Sequence, residues 1–208
     1  FTYLKKNIVR YDQNRIGIRN SFAGQPLAGV AHGCSGYILA LSKLAFYSSQ
    51  KEEINRYIQG FLNYEESLYD EKIKEWRDLR FQERESSREL AWCHGKAGIL
   101  YTYKKSMKYN ETSVNERLEQ ILSHHNKWEF NTTIKQEDGL CHGNMGIFVM
   151  CSEVFENELR KSQQEFCYFR YLQKNENLGF MIGCVGTGYY LLKRKSDLPE
   201  ILCVGLKI

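Results

Sequence analysis

Hydrophobic residues recur every three to four positions over most of the chain, which is the spacing of an amphipathic helix. The clearest stripe predicts a helix from about Glu52 to Tyr64 and consists of Ile54, Tyr57, Ile58, Phe61 and Leu62. Convincing strand-like alternation is absent from the sequence, and its two prolines are Pro26 and Pro199. The pattern therefore predicts an all-α protein built from helical hairpins.

A glycine pair with the spacing Gly-x-x-Gly divides the chain into repeats. Its four copies begin at Gly33, Gly95, Gly143 and Gly183. Helically spaced apolar residues follow each copy, so each pair is predicted to open a helix. Glycines three positions apart share one helix face, where a missing Cβ admits a neighbouring backbone. Because glycine in a helix costs about 1 kcal/mol relative to alanine, the repetition indicates a packing requirement.

The segments between the glycine pairs supply the second helix of each hairpin. One is predicted to begin near Ser113, where Ser113 and Glu116 form a capping box. We expect the glycine-initiated helices to form the inner layer of the array. Residues 65–90 interrupt this order with densely spaced charges, which are typical of a solvated loop. Alternatively, this long insertion overhangs a site and contacts a peptide.

The composition is that of an ordinary globular protein. With 208 residues, 42% of them hydrophobic, the chain can bury a core as one domain over residues 1–208. Its net charge of +4 is spread over intermixed acidic and basic residues, which argues against nucleic acid as a partner. We expect a cytoplasmic protein, because no apolar run reaches the roughly 20 residues of a membrane span and no signal peptide is recognisable.

The cysteines are expected to be reduced thiols. Their number, seven, is odd, and they are thinly spread through a chain too large to need disulfides. Five of them are interpreted as core or uninvolved positions: Cys34, Cys151, Cys167, Cys184 and Cys203. The chain starts at Phe1 without an initiator methionine, so we expect it to be a fragment of a longer protein.

Side chains that can bind a metal are concentrated just before the glycine pairs. They are His32, Cys93, His94, Cys141 and His142. Equivalent helix starts lie side by side in an array of hairpins, so these residues are predicted to converge at one end. The last four could form a closed structural zinc site, or three of them could form an open site with an exchangeable water. Their spacing alone does not decide between these two arrangements.

The glycine motifs at 29–33, 91–95 and 139–143 resemble those of the lanthionine synthetase C-like cyclases. The segment from Trp76 to Arg80 is similar to a Trp-x-Asp-x-Arg segment of the family. The stretch from Leu178 to Leu202 resembles the carboxyl end of class II lanthipeptide synthetases, in which a dehydratase precedes the cyclase. The resemblance extends from about Gly24 to the end of the chain.

This resemblance implies an α/α toroid of seven helical hairpins, of which the chain supplies about four as a partial toroid. It assigns Cys93, Cys141 and His142 as ligands of a zinc ion (Zn²⁺) and His32 as the acid-base residue. His94 stands where the family varies, and we expect it to support a ligand or to face the substrate. An acidic residue that the family uses beside the histidine is expected upstream of this chain.

The implied activity is zinc-dependent cyclisation of a dehydrated precursor peptide, with that peptide and an export transporter as partners. Three alternatives remain from the sequence. The first is a superfamily member that acts on glutathione or another small thiol, and the second is a helical scaffold around a closed structural zinc. The third, an α/α barrel of the prenyltransferase or glycosidase type, is disfavoured because cysteine and histidine replace the carboxylates expected at its inner helix ends.

Overall fold

The structure is a computed structural model and is mostly helical. It describes residues 1–21, 23–80, 91–125, 139–143, 145–147, 149–150, 178–193, 195–196 and 198. The helices are α1 (Thr2–Asn7), α2 (Cys34–Tyr47), α3 (Lys51–Glu66), α4 (Lys96–Ser106), α5 (Thr112–His125) and α6 (Cys184–Lys193). A 3-10 helix follows α4 at Met107–Tyr109, and residues 145–147 and 149–150 are also helical.

Two short antiparallel hairpins, which the sequence pattern did not predict, accompany the helices. Strand β1 (Ile8–Arg10) pairs with β2 (Ile16–Ile18), and β3 (Tyr69–Asp70) pairs with β4 (Glu75–Trp76). Strands of two or three residues are too short to produce a recognisable alternation of polar and apolar positions. They leave the predicted all-α class unchanged.

Helix α3 confirms the helix predicted from the clearest apolar stripe. Ile54, Ile58, Phe61 and Leu62 of that stripe are fully buried. The helix predicted to begin near Ser113 is α5, which begins at Thr112, but the predicted capping box does not form its cap, because the amide of Asn115 donates to the carbonyl of Glu111. Ser113 therefore lies inside the first turn and not at the cap.

The glycine pairs open helices as predicted. Helices α2, α4 and α6 each begin directly after the first glycine of a pair. A Cβ on the second glycine would lie within 2.2 Å of a carbonyl oxygen six positions earlier in the chain. The four pairs are Gly36 with Val30, Gly98 with Trp92, Gly146 with Leu140, and Gly186 with Phe180. The backbone that approaches each glycine is thus its own preceding turn.

Helices α2 and α4 pack side by side, while α3 covers α2 and α5 covers α4. This arrangement agrees with the predicted inner layer of glycine-initiated helices. One core fills the space among these helices, around Ile38, Phe61 and Leu100. A second core surrounds Leu140 and Tyr101, and it joins α4 to the third and fourth glycine motifs.

The solvated loop predicted for residues 65–90 was wrong in part. Glu65 lies in the last turn of α3 with no exposed surface, and Trp76 is 4% exposed because the β3–β4 hairpin folds it onto the core. Residues 81–90 lie outside the described part of the chain, as do Cys151, Cys167 and Cys203. Cys34 and Cys184 are free thiols, as expected. Within the described ranges, no helix combines the length and apolarity that crossing a bilayer requires.

Candidate metal centre

Backbone hydrogen bonds join the turns that precede the glycine-initiated helices. The amides of Val30 and Ala31 donate to the carbonyl of Cys93 at 2.9 and 3.0 Å. In the same way, the amide of Trp92 donates to the carbonyl of Cys141 at 2.8 Å. The first three motifs are therefore held edge to edge, although they are far apart in the sequence. This register brings the predicted site residues to one end of the array.

Glycine at two further positions permits this close approach. Gly29 has a φ of +106°, and a Cβ there would lie 2.6 Å from the carbonyl oxygen of Cys93 and from the Cα of His94. A Cβ on Gly139 would lie 2.9 Å from the carbonyl oxygen of Met181 in the fourth motif. Both glycines let one turn rest directly on the next.

The thiol and imidazole groups of the second and third motifs converge. Cys93 Sγ lies 2.8 Å from His94 Nδ1 and 3.1 Å from His142 Nε2, and Cys141 Sγ lies 3.8 Å from His142 Nε2. Cys93 is buried, whereas the other three side chains are half-buried. The structure thus brings together all four residues that the sequence nominated from these two motifs, including His94.

A hydrogen bond joins the two thiols and shifts their pKa values in opposite directions. The hydrogen bond with Cys141, together with burial, raises the pKa of Cys93. The same hydrogen bond from Cys93 lowers the pKa of Cys141, against the effect of burial. The positive charge of Arg80 favours the thiolate form of both. Cys141 is therefore the group that first becomes a thiolate, which is the form that binds metal.

The donor set fits zinc. Tetrahedral zinc with bonds of about 2.3 Å to sulfur and about 2.0 Å to nitrogen requires sulfur–nitrogen separations of about 3.5 Å. The observed separations of 2.8, 3.1 and 3.8 Å bracket that value. Cys93, Cys141 and His142 can supply an open three-ligand site. His94 is close to Cys93 and His142, but the group of described donor atoms that all lie within 4.8 Å of one another does not include Cys141, so the four residues together do not meet the spacing of a closed site.

His32 lies in the turn next to the cluster. Its neighbour Ala31 is bonded to the Cys93 carbonyl, and the His32 residue is exposed. Among the described residues, the group whose donor atoms lie within 4.8 Å of one another is Cys93, His94 and His142, and it does not include His32. The structure places the turn of His32 against the backbone of Cys93 and leaves His32 outside the metal-capable set.

Two charged residues of the 65–90 segment, Asp78 and Arg80, interact electrostatically with the cluster. Asp78 and Arg80 form a double ion pair with contacts of 2.8 and 2.5 Å, and both side chains are largely buried. Burial raises the pKa of Asp78, but the bonds from Arg80 and the charge of His94 lower it overall. The charge of Arg80 also acts on both thiols, so this part of the segment lies beside the cluster.

Sequence reasoning missed Glu65. Its carboxylate accepts hydrogen bonds from the amides of Gly29 and Ser35 and from the hydroxyls of Ser35 and Tyr103. Burial raises its pKa to about 7, even though these bonds favour the charged form. The one available signal was that Gly33, at the N-cap of α2, has no side chain to cap the helix.

The sequence model of the family described as "Lanthionine synthetase C-like protein" matches residues 2–201. A solved structure named "Nisin cyclase" superposes with a TM-score of 0.61 at 20% sequence identity, and the match covers 83% of this chain and 47% of that one. The chain therefore spans about half the length of that structure. No curated protein matches it.

The structural likeness, at this low identity, establishes the fold. It confirms the predicted α/α toroid, and the length of 208 residues is consistent with part of one. The family model covers nearly the whole chain, including the first three glycine motifs and their turns. The chain belongs to the lanthionine synthetase C-like family.

Proposed function

We propose that residues 1–208 are one domain, the carboxyl-terminal part of a zinc-dependent lanthionine cyclase that acts on a dehydrated precursor peptide. The observation that carries this proposal is the convergence of Cys93, Cys141 and His142 from two separate repeats. Family membership supports the reaction class. The likeness of residues 178–202 to class II synthetases favours a cytoplasmic protein with an upstream dehydratase and an export transporter as a further partner.

In this proposal, Cys93, Cys141 and His142 hold the zinc. Zinc bound there would lower the pKa of a substrate cysteine thiol and keep it nucleophilic at neutral pH. Cys93 and Cys141 contribute negative charge, which keeps the bound sulfur electron-rich. His94, 2.8 Å from the Cys93 sulfur, orients that ligand or faces the peptide. Arg80 favours the thiolate forms of the two protein ligands.

The substrate sulfur then forms a bond to the β-carbon of a dehydroalanine or dehydrobutyrine. The electrons of the carbon–carbon double bond move toward the adjacent carbonyl, and the α-carbon takes up one proton. Nothing leaves, so the product is a thioether. His32 donates the proton, because an imidazole exchanges protons readily at neutral pH. Its exposure and its place in a turn bonded to Cys93 support this role.

Replacing a proposed ligand tests the function. In the full-length protein, Cys93→Ala should lose zinc and reduce ring closure to the uncatalysed rate, measured by metal analysis and mass spectrometry of a dehydrated peptide. Cys184→Ala is the matched control, because that free thiol opens α6 in the fourth motif, outside the cluster. Thioether formation that persists at the normal rate in Cys93→Ala would disprove the mechanism.

The short distance between His94 and Cys93 favours one competing function, a scaffold with a closed structural zinc. Comparing His94→Ala with His142→Ala separates the two. An open site predicts that His94→Ala retains one zinc per chain and His142→Ala loses it. X-ray absorption of the unmodified protein should then show two sulfur ligands, one histidine and one water. Equal loss of zinc in both variants, with a sphere of two sulfurs and two nitrogens, would support the scaffold.

A further inference from the structure

The buried carboxylate of Glu65 holds both ends of the turn that carries His32. Its Oε1 accepts from the amide of Gly29 at 2.7 Å and from the amide of Ser35 at 3.2 Å. Its Oε2 accepts from the Ser35 hydroxyl and from the Tyr103 hydroxyl, both at 2.8 Å. Within the turn, the bonds to Glu65 therefore come from Gly29 and Ser35, which lie on either side of His32 in the sequence. The bond from Tyr103 connects the Glu65 carboxylate to α4.

On its other side, this turn contacts the backbone of Cys93, one of the proposed metal ligands. The amides of Val30 and Ala31 share the carbonyl of Cys93, and Gly29 touches the backbone of Cys93 with no room for a side chain. His32 itself is exposed, so burial does not fix its position. The backbone of residues 29–35, which carries His32, lies between Glu65 and Cys93.

We propose that Glu65 is a positioning residue that fixes the turn carrying His32 against Cys93. The inference rests on the proposed role of His32. An aspartate or serine at position 33 would cap α2 locally, but it would not bind Gly29 or reach Tyr103. A carboxylate supplied by α3 instead joins α2, α3 and α4 at one point. Its removal would leave the amides of Gly29 and Ser35 buried without an acceptor, so the turn would loosen.

Amide exchange tests the positioning directly. In the zinc-loaded full-length protein, we expect Glu65→Ala to speed exchange at Val30 and Ala31 about tenfold or more, measured by hydrogen–deuterium exchange mass spectrometry. Glu65→Gln should restore slow exchange, because its amide oxygen can accept both backbone bonds and its NH₂ can donate to the two hydroxyls. The control is Glu66→Ala, since the neighbouring carboxylate bonds His125 and not this turn.

Glu65→Asp decides the question if Glu65→Ala does not fold. It keeps the charge but is shorter by one methylene, so it should speed exchange at the same two amides. Unchanged exchange at Val30 and Ala31 in whichever of these variants folds would overturn the proposal. Exchange that rises equally in Glu66→Ala would also overturn it, because the effect would then be general loosening.

A double-mutant cycle connects the turn to catalysis. We expect Glu65→Ala to lower kcat for ring closure at least tenfold with little change in KM, and to have no further effect in a His32→Ala background. Losses that simply multiply would assign Glu65 a general structural role and overturn the positioning role. If His32→Ala leaves ring closure intact, the proposed acid role of His32 fails, while the exchange result still reports whether Glu65 fixes the turn.

Discussion

At the scale of single residues, Glu65 gives folding an unusual pH dependence. Burial raises its pKa from 4.5 to about 7. A carboxyl group that holds its proton more tightly when folded stabilises the protein fully below about pH 4.5, and this contribution is lost as the pH rises through about 7. The difference corresponds to roughly 3 kcal/mol. Glu65→Gln cannot ionise, so its stability relative to the unmodified protein should increase from pH 5 to pH 8.

Urea unfolding at the two pH values measures this trend. Taking the difference between Glu65→Gln and the unmodified protein at each pH removes the titrations that both proteins share. A constant difference between pH 5 and pH 8 would show that Glu65 keeps an ordinary pKa in the folded state.

The role of Glu65 could not be predicted from the sequence, whereas the cysteines and histidines of the cluster could be located. Cys93, Cys141 and His142 could be located because they recur at equivalent points of a repeat, and repeats stack in register. Glu65 begins a run of charges in the sequence, where solvent exposure is the usual outcome. Its donor Gly29 is 36 positions away, and no local pattern encodes that contact. His94 could be placed near the thiols, but spacing could not decide whether it binds the metal.

At the scale of elements, the glycine pairs set both the start of each helix and the turn before it. We expect Gly98→Ala to destabilise the protein by about 1–3 kcal/mol, because its Cβ would lie 2.0 Å from the carbonyl oxygen of Trp92. Gly188→Ala in α6 is the matched control, since no atom of the described residues lies within 4 Å of a Cβ there. It should be neutral or stabilising by up to about 1 kcal/mol.

Urea unfolding of Gly98→Ala and Gly188→Ala distinguishes the steric clash of a new Cβ with Trp92 from the higher helix propensity of alanine. Equal stabilisation of both would mean that the turn before α4 relaxes without cost, and the packing role of the glycine pair would be wrong. Loss of zinc from Gly98→Ala alone would be a further expected result, because Trp92 directly precedes Cys93.

Helices and strands could be predicted where the apolar pattern repeats over several turns of a helix. The stripe in α3 spans several helical turns, and four of its five predicted residues are fully buried, the fifth, Tyr57, being partly buried. The start of α5 was predicted to within one residue, but its cap was not, because Ser113 and Glu116 fit a capping box while the first helical bond is accepted by Glu111. The β3–β4 hairpin was missed because strands of two residues contain no period, although it folds Trp76 onto the core.

At the scale of the whole molecule, the proposed metal centre joins the second and third repeats, which contribute to the two hydrophobic cores in different ways. Cys93 precedes α4, which contributes to both cores, whereas Cys141 and His142 belong to the third motif beside the second core. Backbone bonds from Trp92 to Cys141 and from Cys141 to Met181 continue the connection. A metal bound by both motifs would act as a crosslink between these repeats.

Removing the metal should therefore loosen one region more than the rest. We expect a chelator to lower the unfolding midpoint, because a ligand at 100 times its Kd stabilises the folded state by about 2.7 kcal/mol. Exchange at the amides of Trp92 and Cys141 should speed up, while the amide of Ile58, on the buried face of α3, should change little. Cys93→Ala should show no further response to the chelator. A midpoint that stays constant after complete zinc removal would mean that the backbone bonds alone hold the repeats together.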